Sequence, residues 1–286
     1  MENSTATHQQ RTASSRRNAI LALVGCSLLQ LPIWGLPMTF GIFQEAYANS
    51  SSLDGSKSAI GVVGTTMNGT MYLSIPVIST LLDNGRWATW RRSVAIVGVV
   101  LSSLAFVATS FSTRAWHLII LQGVLAAFGS AMVYAPTTLL LDEWYKDGNR
   151  AIAYGVQLSS KNVVGTGCPF LVSGLIHATG THNTLRIWAG IVLATDSTAE
   201  ADPMDLLEAP DEAINTGMVY GLLNGSRGVG YVVGGVAGTE LLRASPLKIS
   251  TKWAYGTQYG PVILFTGISA LVGGWATLWH AFDAVI

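Results

Sequence analysis

The chain has 286 residues, of which 50% are hydrophobic and only 11% are charged, and its formal net charge at pH 7 is zero. A soluble domain carries about a quarter charged residues because water must wet its surface. This composition therefore excludes an ordinary soluble domain, and the neutral charge balance gives no indication of a nucleic-acid partner. We expect an all-α, polytopic membrane helical bundle whose main partner is the lipid bilayer.

Apolar stretches long enough to cross a membrane follow a polar tail at residues 1–17. Such a span needs about 20 mostly apolar residues, and the candidates are 18–46, 59–82, 93–111, 115–141, 151–178, 214–242 and 257–282. A further stretch, Leu185–Ala194, covers only about half of the hydrocarbon core. The sequence therefore predicts seven or eight membrane segments, of which the sixth is short.

An acidic stretch separates this short segment from the last two spans. Residues 196–213 contain no Lys or Arg and include two prolines, which is typical of a solvated cytoplasmic linker. The predicted organisation is a disordered cytoplasmic tail (1–17), a helix bundle (18–195), the linker (196–213) and a C-terminal transmembrane pair (214–286).

The basic residues of the first half indicate the orientation, because cytoplasmic loops are enriched in Lys and Arg. Eight lie in the tail and in the loops on its side, against three on the opposite side, whereas the last outer loop has the reverse bias. We expect a cytosolic N-terminus in the plasma membrane. Asn49 begins an Asn-Ser-Ser sequon in the first outer loop and is the expected glycosylation site.

Small residues recur at four-residue spacing in the 214–242 span. Four-residue spacing places a set on one helix face and allows close backbone approach. The two sets are Gly217, Gly221 and Gly225, followed by Gly230, Gly234 and Gly238. They indicate either a mobile helix that lines a pathway or simple tight packing.

A series of motifs occurs in a recognisable order along the chain. They are GLPMTFG at 35–41, EWYK at 143–146, RAIAYG at 150–155, TLRIWA at 184–189, NTG at 215–217, RGVG at 227–230 and YGP at 259–261. Together they resemble the fungal branch of the monocarboxylate porter family within the major facilitator superfamily. Members of that family have twelve helices, so the resemblance implies that helices seven to ten are missing and that the last two spans correspond to helices eleven and twelve.

The resemblance implies a transporter of small organic solutes, either monocarboxylates or an exported secondary metabolite, that works by alternating access. It implies no catalysis, no metal and no bound cofactor. Proton coupling is an expectation of the family alone, and the charged pair expected for it in the eighth helix would fall in the missing stretch. The oligomeric state is left open by the sequence.

Two basic residues lie near the middle of their spans, where a charge costs at least about 2.5 kcal/mol unless it is paired or faces water. These are Lys161 and Arg227, and we expect them to present positive charge to an anionic, carboxylate-like substrate. The alternative is that each snorkels or binds neighbouring carbonyl groups. Asn68, Gln157, Tyr154 and Tyr231 are secondary candidates, for which a satisfied helix–helix hydrogen bond is the alternative.

Two other functions compete with transport. A truncated, transport-incompetent fragment with at most an interaction role would share the same motifs. A membrane-embedded enzyme finds no support, because the chain has no HExxH motif, P-loop or nucleophile elbow. The acidic residues near helix ends, among them Glu45, Asp142 and Glu143, are given no role.

Overall fold

The computed structural model describes residues 17–49, 57–84, 86–146, 149–200 and 224–234. Every regular element in these ranges is a helix. In chain order they are α1 (Arg17–Ala48), α2 (Lys57–Asp83), a single 3-10 turn (Ala88–Trp90), α3 (Arg91–Thr109), α4 (Ala115–Trp144), α5 (Arg150–Thr179) and α6 (Thr181–Glu200), followed by α7 at residues 224–234.

The predicted all-α bundle is confirmed, and the first five helices begin and end within three residues of the predicted spans. Within the described residues, three helical stretches are long and apolar enough to cross a membrane by length and composition, namely α1, Ala88–Thr109 and α4. The most extensive helix contacts join α3 to α4, α1 to α5, α2 to α4 and α3 to α6. The six helices therefore form one bundle, in which α3 and α4 each take part in two of these contacts.

The sixth helix is twice as long as predicted. α6 has 20 residues, which corresponds to about 30 Å at the rise of an α-helix. The apolar stretch gave too short a helix because the two ends of α6 are polar. At these ends Thr184 and Thr195 each donate a hydrogen bond to a carbonyl group one turn earlier. Its buried residues, Leu185, Trp188, Ala189 and Val192, follow the 3–4 spacing of a helix that packs on one face.

Two domain boundaries also differ from the prediction. α6 continues to Glu200, so the first five residues of the predicted linker are helical, and its remainder, 201–213, lies outside the described residues. The first compact unit extends through Tyr231, so α7 up to that residue belongs to the N-terminal unit and not to a separate helix pair. The tail up to residue 16 and the last predicted span, 257–282, also lie outside the described residues.

Small residues bring the helices together where they cross. A Cβ atom added to Gly129 of α4 would lie 2.6 Å from the carbonyl oxygen of Gly98 and 2.8 Å from the backbone nitrogen of Ser102, both on α3. Gly35 of α1 lies against the indole ring of Trp188 in the same way. Because lipid tails are as apolar as leucine, such close packing is a main source of helix association in a membrane.

The turns on either side of α5 hold that helix in place. Asn149, immediately before α5, has φ 62° in the left-handed region, and Gly180, immediately after it, has φ 82°. Asparagine and glycine are the residues that adopt this region most readily. The backbone therefore leaves the helical conformation at both ends of α5.

Candidate functional site

The buried face of α5 carries two polar side chains into the bundle. Its buried residues are Ala153, Gln157, Lys161, Cys168 and Val172, a spacing of four or seven that keeps them on one side of the helix. The opposite side is exposed, as shown by Val163 and Phe170. Gln157 and Lys161 therefore lie one helical turn apart on the side that packs against α1.

Aromatic rings from α1 and α2 contact the ammonium group of Lys161, and a ring from α4 packs behind them. The Nζ atom lies 3.3 Å from the ring centroid of Trp34 in α1 and donates a hydrogen bond of 2.8 Å to the hydroxyl oxygen of Tyr72 in α2. Trp34 contacts Tyr72 at 5.1 Å between centroids and meets Tyr134 of α4 edge-on at 5.7 Å. We call these four residues, Trp34, Tyr72, Tyr134 and Lys161, the lysine cage.

The basic group in the lysine cage has no acidic partner among the described residues. Lys161 is only 8% exposed, and no carboxylate in the described part of the chain lies within ion-pair distance of it. A cation over a desolvated aromatic face gains about 2 kcal/mol, whereas the effective penalty for burying an ion is several kcal/mol. The cage therefore orients the ammonium group but does not neutralise it.

A second cation approaches the same site from α7. Gly225 lies close to Pro76, and Gly228 lies close to the backbone of Leu73, which brings α7 onto α2. Tyr231 then stacks on Tyr72 with ring centroids 5.2 Å apart and an interplanar angle of 10°. The guanidinium carbon of Arg227 lies 5.9 Å from the centroid of the Tyr72 ring. Two cations thus share one tyrosine, and each would be stabilised by an anion between them.

Two of the predicted secondary site residues are satisfied within the bundle instead. Asn68 donates to the carbonyl oxygen of Gly64 in its own helix at 3.1 Å. Tyr154 donates to the carbonyl oxygen of Thr138 in α4 at 3.3 Å. Neither belongs to the lysine cage, so the structure groups Lys161, Arg227 and Tyr231 and leaves these two apart.

Gln157 differs from both of these residues. It is 1% exposed, and neither its Nε2 nor its Oε1 atom has a hydrogen-bond partner among the described residues. The indole nitrogen of Trp34 in the lysine cage is likewise buried without a hydrogen-bond partner among the described residues. The satisfied helix–helix bond that sequence reasoning offered as the alternative for Gln157 is therefore not formed with any residue that the structure describes.

The predicted glycine sets are described only in part. Gly225 makes the close contact that its spacing predicts, but a Cβ atom at Gly230 or Gly234 would meet no atom of the described residues within 4 Å. Gly217, Gly221 and Gly238 lie outside the described residues. Gly228, which belongs to neither set, makes the tightest approach of α7 to α2. Asn49 is exposed at the end of α1, as a glycan requires, while the rest of its sequon lies outside the described residues.

The acidic residues at the end of α4, to which the sequence analysis assigned no role, form ion pairs. Arg91, buried at the start of α3, forms an ion pair with Glu143 and donates from Nε to the carbonyl oxygen of Leu82 at 3.1 Å. The next residue, Asp142, lies 3.4 Å from Arg150 at the start of α5. These charges connect the ends of α2, α3, α4 and α5. The run of basic residues between α2 and α3 was a signal for them, but only the fold shows which acid each one meets.

A second concavity lies away from the lysine cage. It is an open groove of about 750 Å³ between α1 and the opposite side of α5, lined mainly by residues such as Leu28, Leu31, Val156 and Val163. Its apolar lining is what a surface in contact with lipid tails requires.

The described residues contain no group of three or more His, Cys, Asp or Glu side chains that could hold a metal ion. Cys26 and Cys168 are buried free thiols.

A bundle of long apolar helices around a buried cation defines a polytopic α-helical membrane protein with an internal polar site. The family model of the Major Facilitator Superfamily matches residues 18–195, which is more than half of the chain. The chain belongs to the Major Facilitator Superfamily, and the predicted family is confirmed.

Relatives of this chain include fungal and animal transporters. It is 25% identical to "MFS-type transporter pynF" of Aspergillus niger over 65% of this chain and 42% of that protein. It is 26% identical to "MFS transporter asaE" of Aspergillus flavus over 61% of this chain and 38% of that protein. It is 24% identical to "Monocarboxylate transporter 10" of Danio rerio over 44% of this chain and 24% of that protein. The match thus covers less than half the length of each of these relatives.

Proposed function

We propose that this chain is a membrane carrier that binds small organic anions at the lysine cage. The observation that carries the proposal is the buried ammonium group of Lys161, which has aromatic and hydroxyl contacts but no carboxylate partner in the described part of the chain. A substrate carboxylate would supply the missing negative charge. Charge-assisted hydrogen bonds of this kind contribute about 1.5–3 kcal/mol each.

Arg227 supports the same proposal from α7. Its guanidinium group has a planar fork of donors that suits a carboxylate, and it lies near the Tyr72 ring that also contacts Lys161. An anion held between the two would be bound by groups on α2, α5 and α7. A site shared between helices that can separate is what alternating access requires. One relative is named as a monocarboxylate transporter, which agrees with an organic-anion substrate.

The orientation and location complete the proposal. We place the N-terminus in the cytosol and the protein in the plasma membrane, on the basis of the Lys and Arg bias of the first-half loops. Asn49 then faces the outside. The site uses only protein side chains and needs no bound cofactor. Monocarboxylates or an exported secondary metabolite both satisfy its chemistry.

A specific observation favours a second candidate function. The match to the Aspergillus niger relative covers only 42% of that protein, and facilitator-type transport rocks one group of helices against another around the site. A chain with one six-helix half would keep the anion site but lack the second half that closes it. It would then bind anions without moving them across the membrane.

The experiment that tests both candidates is counterflow of radiolabelled benzoate in liposomes that contain the purified full chain. We compare wild type with Lys161→Met, which removes the charge at nearly constant volume. Lys146→Met is the matched control, because Lys146 is exposed at the end of α4. Carrier function predicts saturable exchange that falls about 10–100-fold in Lys161→Met and persists in Lys146→Met. If benzoate binds in a Lys161-dependent way but is not exchanged, the result supports the transport-incompetent fragment. If benzoate is neither bound nor exchanged, the proposal is overturned.

A further inference from the structure

The amide of Gln157 is buried on the same face of α5 as Lys161. Both polar atoms of its amide are buried without a partner among the described residues, so the assignment of nitrogen and oxygen in the amide does not affect this conclusion. Almost all buried polar groups of native proteins are hydrogen-bonded, and an exception calls for an explanation. Such exceptions are expected at functional sites, where a local rule is broken in favour of a ligand.

The position of Gln157 connects this amide to the anion site. It precedes Lys161 by four residues on the same buried face of α5, so the two Cα atoms are separated by about 6 Å along the helix axis. Both side chains face the side of α5 that packs on α1, where Trp34 contributes its ring to the lysine cage. A small molecule whose carboxylate meets Lys161 would reach the amide if it extended about one helical turn along α5.

We propose that Gln157 is the specificity-determining residue of this site and that the preferred substrates are hydroxylated organic acids. This inference rests on the proposed function. A carboxamide offers donors on Nε2 and an acceptor on Oε1, and a hydroxyl group is a small substituent that both accepts and donates. One hydroxyl about one helical turn from the carboxylate therefore satisfies both ends of the amide. An acid without that hydroxyl leaves the buried amide unpaired, which is the basis of strong discrimination between such analogues.

The test uses benzoate and 4-hydroxybenzoate as probes, because they differ only in a hydroxyl at the far end of the ring from the carboxylate. We measure equilibrium binding of both acids to the purified full chain. Wild type is expected to bind 4-hydroxybenzoate about tenfold more tightly than benzoate, the discrimination expected from about one hydrogen bond. In Gln157→Leu the ratio of the two affinities is expected to fall to about one.

Gln30→Leu is the matched control variant. Gln30 is as buried as Gln157, but its Nε2 atom donates a 3.0 Å hydrogen bond to the carbonyl oxygen of Cys26 in its own helix. Its replacement by leucine should leave the tenfold preference in place. A preference that disappears equally in both variants, or that survives in Gln157→Leu, overturns the inference.

Thermal unfolding without ligand provides a second, independent readout. An unpaired buried amide destabilises the fold, so its replacement by leucine should raise the unfolding temperature of Gln157→Leu by about 2–4 °C. A satisfied structural hydrogen bond would instead make the same variant less stable, and that result overturns the inference. Lys161-dependent binding of both acids with an unchanged ratio in Gln157→Leu overturns only the role of Gln157. Absence of binding of either acid to wild type overturns the proposed function as well.

Discussion

Removal of one partner from the ion pair between Arg91 and Glu143 is expected to destabilise the bundle strongly, because it leaves a buried charge unpaired. The side chain of Arg91 is 4% exposed and that of Glu143 is 20% exposed. Glu143→Gln keeps the shape of the side chain but leaves the guanidinium group buried without its anion. Removal of one partner from a buried pair costs about 3–5 kcal/mol. Because Glu143 is partly exposed, we expect the lower end of that range, about 3 kcal/mol.

The two buried thiols, Cys26 and Cys168, provide the assay. A thiol-reactive fluorophore labels them only when the fold opens, so labelling against temperature reports the unfolding of the detergent-purified chain. Glu143→Gln should lower the unfolding temperature by about 6–12 °C. Glu45→Gln is the matched control, because Glu45 is exposed in the last turn of α1, and we expect it to change stability by less than about 0.5 kcal/mol.

A double-mutant cycle separates the pair from other effects of each substitution. Arg91→Met combined with Glu143→Gln leaves no buried charge unpaired, so the double variant should be more stable than the sum of the two single changes by at least about 1 kcal/mol. If Glu143→Gln unfolds at the same temperature as wild type, or if the two effects simply add, the ion pair does not hold these helix ends together and the reasoning is wrong.

Two further predictions concern packing and orientation. Gly129→Val should destabilise the bundle by about 3 kcal/mol, because the new Cβ atom would lie 2.6–2.8 Å from backbone atoms of α3. Gly167→Ala, whose Cβ would meet no atom of the described residues within 4 Å, should be nearly neutral in the same thiol-labelling assay. Asn49→Gln should abolish a glycosidase-sensitive shift in gel mobility when the chain is made in a eukaryotic host. If both proteins migrate identically with and without glycosidase, Asn49 is not glycosylated and the prediction is wrong.

Much of the fold follows from apolar length. The spans of α1 to α5 could be predicted because their apolar residues form long runs, and a membrane-spanning helix requires such a run. The full length of α6 could not be predicted, because its polar ends lower the mean hydropathy. The helix buries only one face, which contains Trp188. The polar ends are compatible with helix because side chains such as Thr184 bond to the helix backbone.

The candidate site could be predicted only at its charged residues. A lysine in the middle of an apolar run is visible in the sequence, since a buried charge is rare and expensive. Its aromatic partners, Trp34 and Tyr72, are indistinguishable from ordinary core residues until tertiary packing brings α1 and α2 to α5. The same holds for Glu143, whose partner Arg91 lies 52 positions away in the chain. Long-range pairing of this kind is a property of the fold, and no local pattern encodes it.

The most direct test of the central claim is equilibrium binding of radiolabelled benzoate to the purified full chain and to two variants at one position. Lys161→Arg keeps the positive charge, whereas Lys161→Met removes it. We predict saturable binding to wild type, weakened but measurable binding to Lys161→Arg, and a loss of about 10–100-fold in affinity in Lys161→Met. Equal affinity of wild type and Lys161→Met for benzoate would contradict an anion site built around this lysine.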